Sequence, residues 1–389
     1  MIVVVGAGLA GLYVASELAK KGKVLVLEKD AILGGRVHTG HHGPDSYEIG
    51  AGRIHVSHKR VLALLKRFHL KTVNINGPLT WRALGSSQSM PNLFDPTWLA
   101  LLTQIRRLEP TVLGGSTLRE LAMQILGPSS ASALLELFSY RTELESMRAD
   151  VALREFGLEH NYSVVVGGLS QLINGLAEGL DIRLSTTVTN VTHKEGVYTV
   201  HVKGGDDIVA DRVVLAVPVT ALRRLPVMRG LKALEYVGMA PLIRIYAKYP
   251  TPAWFTEDDR TVTDSPLRYI IPISTKSGVV MISYTDGRDT GAWAGLSGPA
   301  LTTKIQEEVR RLFPERVIPE PLWLTPYHWH EGVSYWKPGP YDPVAESAAV
   351  LRPRAATMPD LFTCGESFSM LQEWMEGSLE HADALLDIM

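Results

Sequence analysis

The sequence predicts an α/β fold in which a domain opened by a parallel βαβ unit is interleaved with an α+β domain that carries an antiparallel sheet. The β-branched run at 2–5 and the run Val24–Leu27 have the character of buried parallel strands. Between them lies a GxGxxG turn at 6–11, followed by apolar residues at helical spacing that predict a helix over 12–21. An acidic residue, Glu28, stands directly after the second strand. Strand, turn, helix, strand and acid therefore arrive in the order of a Rossmann-type unit.

Each part of this unit suits a dinucleotide. Gly6 permits the tight turn, Gly8 permits close approach of a diphosphate, and Gly11 permits close packing of helix on strand. The helix N-terminus offers unpaired N–H groups and a partial positive charge. Glu28 is placed to accept hydrogen bonds from ribose hydroxyls. The sequence therefore predicts a dinucleotide site at the N-terminus.

A second glycine-rich segment follows the unit. Gly34 and Gly35 permit close approach to a phosphate group, and the guanidinium of Arg36 supplies a forked cation for it. With these residues the chain resembles the flavin-containing amine oxidase family, which includes monoamine, polyamine and L-amino acid oxidases. Ile32 stands where the family's RxGGR pattern has its first arginine. The resemblance implies that the cofactor is FAD rather than NAD.

Composition excludes several other classes of protein. The chain has 389 residues, a net charge of −2 and one cysteine, Cys364, which we expect to be a small core residue. Neither nucleic-acid binding, a cysteine metal cluster nor an intrachain disulfide is therefore expected. No apolar run approaches ~20 residues, and the first strand leaves no room for a leader, so we expect a cytoplasmic protein without a membrane span. Assembly into a homodimer is left open.

The resemblance implies two interleaved domains. The FAD-binding domain takes residues 1–56, 164–228 and 342–389, and the substrate-binding domain takes 57–163 and 229–341 with a helical cover. Local patterns agree with this division. Helices are predicted over 57–70, 170–179 and 299–313 and at several places between about 93 and 160, and alternating strands between 231 and about 341 indicate an antiparallel sheet.

Arg53 is the predicted substrate-binding residue. It follows a strand and two glycines, Gly50 and Gly52, which mark a close approach of the backbone. L-Amino acid oxidases carry a similar E-x-G-x-M-R segment, and the resemblance implies that this arginine holds the substrate carboxylate. The alternative is a surface arginine in an ordinary salt bridge. In this motif the chain is closest to the L-amino acid oxidases.

Arg244 is the predicted catalytic cation. It occupies the strand position where most relatives carry a lysine that holds a water beside flavin N5. Arginine keeps its charge at any working pH and cannot serve as a base, so we expect it to hold a water or a substrate carboxylate. Lys248, farther along the strand, is the alternative cation. The departure leaves open whether dioxygen is the electron acceptor.

The C-terminal segment supplies the remaining predicted contacts. By resemblance, Gly365 and Glu366 lie against the diphosphate and ribityl chain, and the next helix, starting near Gly377, directs its N-terminus at the flavin N1–C2=O group. Trp374 forms an aromatic wall that is catalytic and binds substrate, although a core tryptophan is the alternative. The cofactor-binding set is Gly6, Gly8, Gly11, Glu28, Gly34, Gly35, Arg36, Gly50, Val188, Gly365, Glu366 and Met375, and Tyr335 joins Arg53 and Trp374 at the substrate.

The stretch 327–336 bears on metal binding and on whether a cofactor is attached covalently. His328 and His330 share a strand face, but nothing supplies further ligands, so no metal is predicted. Monoamine oxidases carry here the cysteine that bonds covalently to FAD, whereas this chain has Val333 and Ser334. The resemblance therefore implies dissociable FAD.

The predicted reaction is the oxidative deamination of an L-amino acid. Hydride passes from the α-carbon to flavin N5, the imine hydrolyses to a keto acid and ammonia, and dioxygen reoxidises the flavin to give hydrogen peroxide. A polyamine or monoamine oxidase is the first alternative, although Arg53 would oppose a polycation. A flavin-binding interaction protein without catalysis is the second, because Arg244 replaces the usual lysine.

Overall fold

The structure is a computed structural model that describes residues 1–75, 78–91, 96–154 and 161–389. The described residues contain twenty strands: β1 (Ile2–Val5), β2 (Val24–Leu27), β3 (Thr39–His42), β4 (Asp45–Glu48), β5 (Ile54–His55), β6 (Thr72–Asn74), β7 (Leu79–Arg82), β8 (Met90–Pro91), β9 (Tyr162–Val165), β10 (Asp181–Arg183), β11 (Val188–Lys194), β12 (Val197–Val202), β13 (Ile208–Ala210), β14 (Arg212–Leu215), β15 (Val237–Lys248), β16 (Arg260–Thr263), β17 (Tyr269–Ser274), β18 (Val279–Asp286), β19 (Trp323–Trp336) and β20 (Leu361–Thr363).

The same described residues contain fourteen α-helices: α1 (Leu9–Leu18), α2 (Lys59–Arg67), α3 (Pro96–Ile105), α4 (Pro110–Gly115), α5 (Leu118–Leu126), α6 (Pro128–Leu135), α7 (Thr142–Glu145), α8 (Ala149–Ala152), α9 (Ser170–Ala177), α10 (Val219–Arg224), α11 (Ala233–Tyr236), α12 (Gly298–Leu312), α13 (Pro343–Val350) and α14 (Met375–Leu386). Short 3₁₀ helices lie at Pro226–Met228, Gly287–Ala292 and Glu366–Phe368. None of the helices in the described ranges has the length and apolar character needed to cross a membrane.

A five-stranded parallel sheet forms the first domain, in the order β10-β2-β1-β14-β20. Side chains alternate across it, because Val4, Val26 and Val214 pack under the helices α1, α9 and α14, while their chain neighbours pack on the opposite face. A three-stranded antiparallel sheet, β11-β12-β13, contributes to that opposite face. The predicted α/β fold with a Rossmann-type unit is confirmed.

The second domain is built on a seven-stranded sheet in the order β19-β15-β18-β17-β16-β7-β8. Its strands pair antiparallel, as expected, except that β7 and β16 run parallel. Helix α12 and Trp293 bury one face, and a cluster of tyrosines that includes Tyr47, Tyr246 and Tyr284 fills the other. Helices α3 to α8 lie in the stretch where the sequence predicts helices, and their role as a cover over the substrate stays a prediction.

Several predicted boundaries differ from the structure. Helix α1 starts at Leu9 rather than residue 12, because the amide of Leu12 already bonds the Gly8 carbonyl at 2.9 Å. Helix α2 is shorter than 57–70 at both ends, and His58 rather than Ser57 is its N-cap. Residues 92–95 and 155–160, which fall in the predicted helical stretch, lie outside the described residues. The domain boundaries remain predictions.

Candidate active site

A cavity of about 730 Å³ joins the two domains. On one side it is lined by residues at the C-terminal ends of the parallel strands β1, β2, β14 and β20. On the other it is lined by side chains of β15, β18 and β19. Open α/β sheets bind ligands outside the carboxyl ends of their strands, so the cavity lies where a ligand is expected.

The glycine turn after β1 shapes the first wall. Gly6 has φ +102°, and a Cβ there would lie 2.5 Å from the Ala216 carbonyl oxygen, so only glycine fits. A Cβ on Gly11 would lie 2.0 Å from the Gly6 carbonyl oxygen, which explains the close packing of α1 on the turn. A Cβ on Gly8 would instead point into open space, because its nearest atom, the Gly34 carbonyl oxygen, would lie 4.0 Å away. No side chain caps α1, so its first N–H groups face the room that Gly8 leaves.

Glu28 is fixed at the end of β2. Its two carboxylate oxygens accept hydrogen bonds from the amides of Ala7 at 2.7 Å and Asp30 at 2.9 Å. The side chain is buried and lines the cavity. Each oxygen keeps a lone pair for a further donor, so the group is suited to accept hydrogen bonds from sugar hydroxyls.

Arg36 and Glu366 form an ion pair between the first and last segments of the domain, with 2.7 Å between Nη2 and Oε2. Burial would raise the pKa of Glu366, but the charge of Arg36 and hydrogen bonds from the amide of Glu373 and from Ser334 hold that pKa below its usual range. The neighbouring Gly365 has φ +131° and nothing near the position of a Cβ. This ion pair therefore stabilises the segment that carries Gly365, where the missing side chain leaves space on the cavity wall.

Arg53 lies at the second wall within a group of aromatic rings. It donates a hydrogen bond to the Tyr140 hydroxyl at 2.6 Å. Its guanidinium carbon is 5.6, 5.3 and 5.8 Å from the ring centroids of Tyr140, Tyr162 and Trp374. In the described part of the chain it forms no ion pair with a carboxylate. The ordinary salt bridge that was the alternative for Arg53 is therefore not seen among these residues. Arg53 instead presents its positive charge to the cavity.

Arg244 reaches the same cavity from β15. Its Nη1 donates to the Glu48 carbonyl oxygen at 3.0 Å, and its guanidinium carbon lies 5.1 Å from the ring centroid of Tyr284. A Cβ on Gly52 would lie 3.8 Å from Nη1, so Arg244 lies against the segment that carries Arg53. Burial raises the pKa of Tyr284 well above its usual value, so this phenol stays neutral.

Trp374 connects the aromatic group to the last helix. It is the N-cap of α14, its ring stacks on Tyr162 at an interplanar angle of 9°, and the edge of His58 meets it at 5.0 Å between centroids. Met375 and Ser378 in the first turn of α14 line the cavity. The partially positive end of this helix therefore faces the cavity.

Comparison with known proteins identifies the class of this site. Residues 82–384 match the flavin-containing amine oxidoreductases, and residues 4–68 match an NAD(P)-binding Rossmann-like domain. The chain belongs to the flavin-containing amine oxidoreductase family. Members of this family are flavin-containing oxidoreductases, and the cavity is the candidate site for FAD and substrate.

Individual relatives of this flavin-containing amine oxidoreductase differ in what their names say they act on. The L-amino-acid oxidase of Mus musculus is 24% identical over 97% of this chain and 69% of its own length. The lysine-specific histone demethylase 1 homolog 2 of Oryza sativa subsp. japonica is 28% identical over 66% of this chain, which matches only 38% of that protein's length. A putrescine oxidase redesigned in cofactor binding superposes with a TM-score of 0.78 at 20% identity, covering 100% of this chain and 98% of its own, and shares the fold.

The first wall fits FAD. The open positions of Gly8 and Gly365 and the uncapped N-terminus of α1 suit a diphosphate, and the anchored Glu28 suits a ribose. Arg36 forms an ion pair with Glu366, and its Nη1 donates a hydrogen bond to the Gly332 carbonyl oxygen at 3.2 Å. In the structure, Arg36 therefore stabilises this wall.

Most predicted site residues meet at the cavity. Gly11 packs behind the wall instead of lining it, in keeping with its predicted packing role. The residues on the lining are Gly6, Gly8, Glu28, Gly34, Gly35, Arg36, Gly50, Arg53, Val188, Arg244, Gly365, Glu366, Trp374 and Met375.

Two candidates lie elsewhere. Tyr335 is not part of the cavity lining, and its contact with substrate stays a prediction: a Cβ on Gly238 would lie 2.2 Å from its ring, so the ring covers the paired strand β15. Lys248, the alternative cation, pairs with Asp45 at 2.7 Å and is also absent from the lining.

Metal and thiol chemistry find no support among the described residues. His328 and His330 line the cavity, but no group of three or more potential ligands lies together in the described ranges. Cys364 is buried at the cavity wall, and burial raises the pKa of its thiol to about 12. A thiol this weakly acidic is a poor nucleophile.

The lining also includes residues that the sequence does not single out, among them Tyr140, Glu143 and Tyr284. Tyr284 lies in a strand that the alternation does predict, so an aromatic residue near the end of that strand was the available signal. Tyr140 and Glu143 lie in the helical cover, where nothing in the local pattern distinguishes them from core or surface residues.

Proposed function

We propose that this chain catalyses the FAD-dependent oxidative deamination of an L-amino acid. The observation that carries the proposal is Arg53, a cavity cation surrounded by aromatic rings and without a carboxylate partner in the described residues. A guanidinium in such a setting binds a carboxylate by charge-assisted, two-pronged hydrogen bonds. The 24% identity with the L-amino-acid oxidase of Mus musculus over nearly the whole chain supports the same substrate class.

The division of labour follows from this arrangement. FAD, when bound, supplies the hydride acceptor and passes the electrons on to dioxygen, giving hydrogen peroxide. Arg53 fixes the substrate carboxylate, and the indole of Trp374 forms the adjoining wall, so that the Cα–H bond is held in one orientation. The imine product hydrolyses to a keto acid and ammonia.

Arg244 contributes a fixed positive charge. A guanidinium does not release its proton in this pH range, so Arg244 orients a water or an anion and does not act as a base. Its hydrogen bond to the Glu48 carbonyl and its position over Tyr284 hold the charge in place. The proposed position beside flavin N5 is carried over from the resemblance.

Anaerobic mixing tests the proposal. Purified protein is mixed with L-amino acids, and the flavin absorbance near ~450 nm is followed. We expect bleaching by amino acids. Arg53→Met should raise KM for amino acids by about 100-fold, because truncating one side of a desolvated charge pair costs about 2–5 kcal/mol.

Arg67→Met is the matched control, because Arg67 pairs with Glu17 on the surface, away from the cavity. The control should keep the parental KM. An unchanged KM in Arg53→Met, with bleaching by amino acids intact, would move Arg53 to a structural role.

A polyamine oxidase is the second candidate, favoured by the carboxylate of Glu143 on the cavity lining. Two cavity arginines, Arg53 and Arg244, oppose a polycation. The same experiment separates the candidates, since bleaching by polyamines alone supports the second. Bleaching by neither class supports a flavin-binding interaction protein.

A further inference from the structure

The substrate wall carries two guanidinium groups. Arg53 contacts Tyr140, Arg244 contacts Tyr284, and these two rings meet edge to face with 5.5 Å between centroids. The pair of tyrosines therefore lies between two fixed cations on one cavity wall.

Both guanidiniums retain donors for a ligand. Arg53 uses Nη2 for Tyr140, and Arg244 uses Nη1 for the Glu48 carbonyl. Arg244 also interacts with the Tyr246 hydroxyl, but its Nη2 is not among the buried side-chain nitrogens that lack a partner in the described part of the chain, although the side chain as a whole is only 9% exposed. Arg244 lies on the cavity lining.

Neighbouring carboxylates leave this second cation available. Glu48 contacts Arg244 through its backbone carbonyl, but its carboxylate accepts hydrogen bonds from the Leu169 amide at 2.7 Å and from the Thr39 hydroxyl at 3.2 Å, and it forms no ion pair with Arg244 in the described residues. Glu143 lies on the same lining and suits the ammonium group that every amino acid carries. Two cations in a partly desolvated cavity repel each other, and a second anion relieves that cost.

We propose that the substrate is a dicarboxylic amino acid, with Arg53 binding the α-carboxylate and Arg244 binding the side-chain carboxylate. This inference rests on the proposed amino acid oxidation and specifies its substrate class. A side-chain amide of the same shape gives Arg244 no negative charge to pair with, so discrimination between acid and amide is its direct consequence.

The first test compares matched substrates. We expect kcat/KM for L-glutamate or L-aspartate to exceed that for L-glutamine or L-asparagine by at least about tenfold. Arg244→Met should remove most of this preference by lowering the rate with the acids much more than the rate with the amides, whereas Arg53→Met should lower the rates with acids and amides to a similar extent. Arg244→Lys keeps a charge and should retain part of the preference. Equal rates with acid and amide in the parent enzyme overturn the proposal.

The second test needs no turnover. Glutarate and valerate have the same carbon chain and differ by one carboxylate, and neither has an amine to oxidise. We expect glutarate to bind the FAD-loaded protein at least about tenfold more tightly, measured by perturbation of the flavin absorbance, and Arg244→Met to remove the difference.

Equal binding of glutarate and valerate by the parent protein contradicts the role of Arg244 whether or not the variant folds. Tight binding of glutarate without oxidation of any amino acid would support the site for two carboxylates. The same result would contradict the proposed oxidation of amino acids.

Discussion

Arg53 and Arg244 are held by different means. Arg53 is half-buried among aromatic faces, which attract a cation without neutralising its charge. Arg244 is buried in a sheet and held by a backbone carbonyl. In both cases the positive charge remains available to a ligand, since neither forms an ion pair with a carboxylate in the described residues.

FAD is expected to leave the protein on denaturation. Val333 lines the cavity and Ser334 follows it, and neither can form a thioether. Cys364 does line the cavity, but burial raises the pKa of its thiol to about 12, so it stays protonated and unreactive. Acid precipitation should therefore leave a yellow supernatant and a colourless pellet. A pellet that keeps its flavin absorbance would point to Cys364, and Cys364→Ser would then be the decisive variant.

Two buried histidines predict a loss of stability in mild acid. Burial lowers the pKa of His58 and of His381 to about 4, whereas in the unfolded chain a histidine titrates near 6.5. The unfolded chain therefore binds more protons between these values, and the free energy of unfolding should fall as the pH drops from about 6.5 to about 4. Urea unfolding at a series of pH values measures this slope.

The two histidines can be separated by substitution. His381 accepts a hydrogen bond from the Gly365 amide at 3.1 Å, which glutamine can reproduce, so His381→Gln should make the acid slope shallower. His41→Gln, at an exposed position, should leave the slope unchanged. A slope identical in His381→Gln and in the parent protein would assign the acid sensitivity to other groups.

The sequence alone could not show which residues contact each other across the cavity. Arg53 could be singled out because its glycine-rich segment is distinctive, but its hydrogen bond to Tyr140 crosses 87 positions. The position of Tyr335 outside the cavity lining has a related cause. Alternation along a strand shows which residues share a face, but it does not show where the cavity ends.

At the scale of elements, Asp286 joins the end of β18 to helix α7. Its buried carboxylate accepts hydrogen bonds from the amides of Arg141 and Thr142, both at 2.8 Å, and from the Thr142 hydroxyl at 2.6 Å. Tyr140 and Glu143 flank these residues in sequence and line the cavity. Asp286 thus sets the position of one cavity wall from outside it.

Asp286→Asn should lower the free energy of unfolding by about 2–4 kcal/mol, because the amide cannot accept all three hydrogen bonds and a buried donor is left without a partner. KM should rise with it, because Tyr140 loses its fixed position. Chemical denaturation and steady-state kinetics measure the two effects. Asp207→Asn, at an exposed position where the carboxylate contacts the His201 ring, is the control and should change stability by no more than about 0.5 kcal/mol.

Element types were predicted better than element ends. Strands β1 and β2 coincide with the predicted runs, because β-branched residues bounded by glycine leave little choice. Helix α1 starts three residues before the predicted residue 12, since Gly8 is its N-cap and Gly11 lies in its first turn. Strand β10 joins the parallel sheet through only three residues, too short a run to show its partner in the sequence.

At the scale of the whole molecule, the cavity that fits FAD is lined by parts of the chain that lie far apart in sequence. The lining includes Gly8, Glu28, Val188 and Gly365. Because the ligand binds only when these parts are together, FAD should stabilise both the parallel sheet and the helix α14 behind it.

FAD added to the apoprotein should raise Tm by several degrees, since a ligand at about a hundredfold its Kd adds about 2.7 kcal/mol of stability. ADP should give part of this shift through the glycine turn and Glu28. Glu28→Ala should reduce the shift with both ligands, measured by differential scanning calorimetry. A full shift in Glu28→Ala would exclude a role for this carboxylate in binding.

The overall fold was predictable because its N-terminal unit and its C-terminal Gly-Glu segment are distinctive, and both lie on one cavity. The pairing of β1 with β14, across more than 200 positions, was implied only by resemblance. Hydrophobic patterns identify buried strands, but all buried parallel strands look alike, so their order in the sheet is not encoded locally.

The strand order has a consequence for synthesis on the ribosome. Strand β20 closes the edge of the sheet next to β14 and positions Gly365, yet it is translated more than 330 residues after β2. At ~5–20 residues per second the N-terminal glycine turn waits roughly 20–70 s for its last neighbour. Cofactor loading therefore follows translation of nearly the whole chain, and a nascent chain stalled before β20 should emerge colourless.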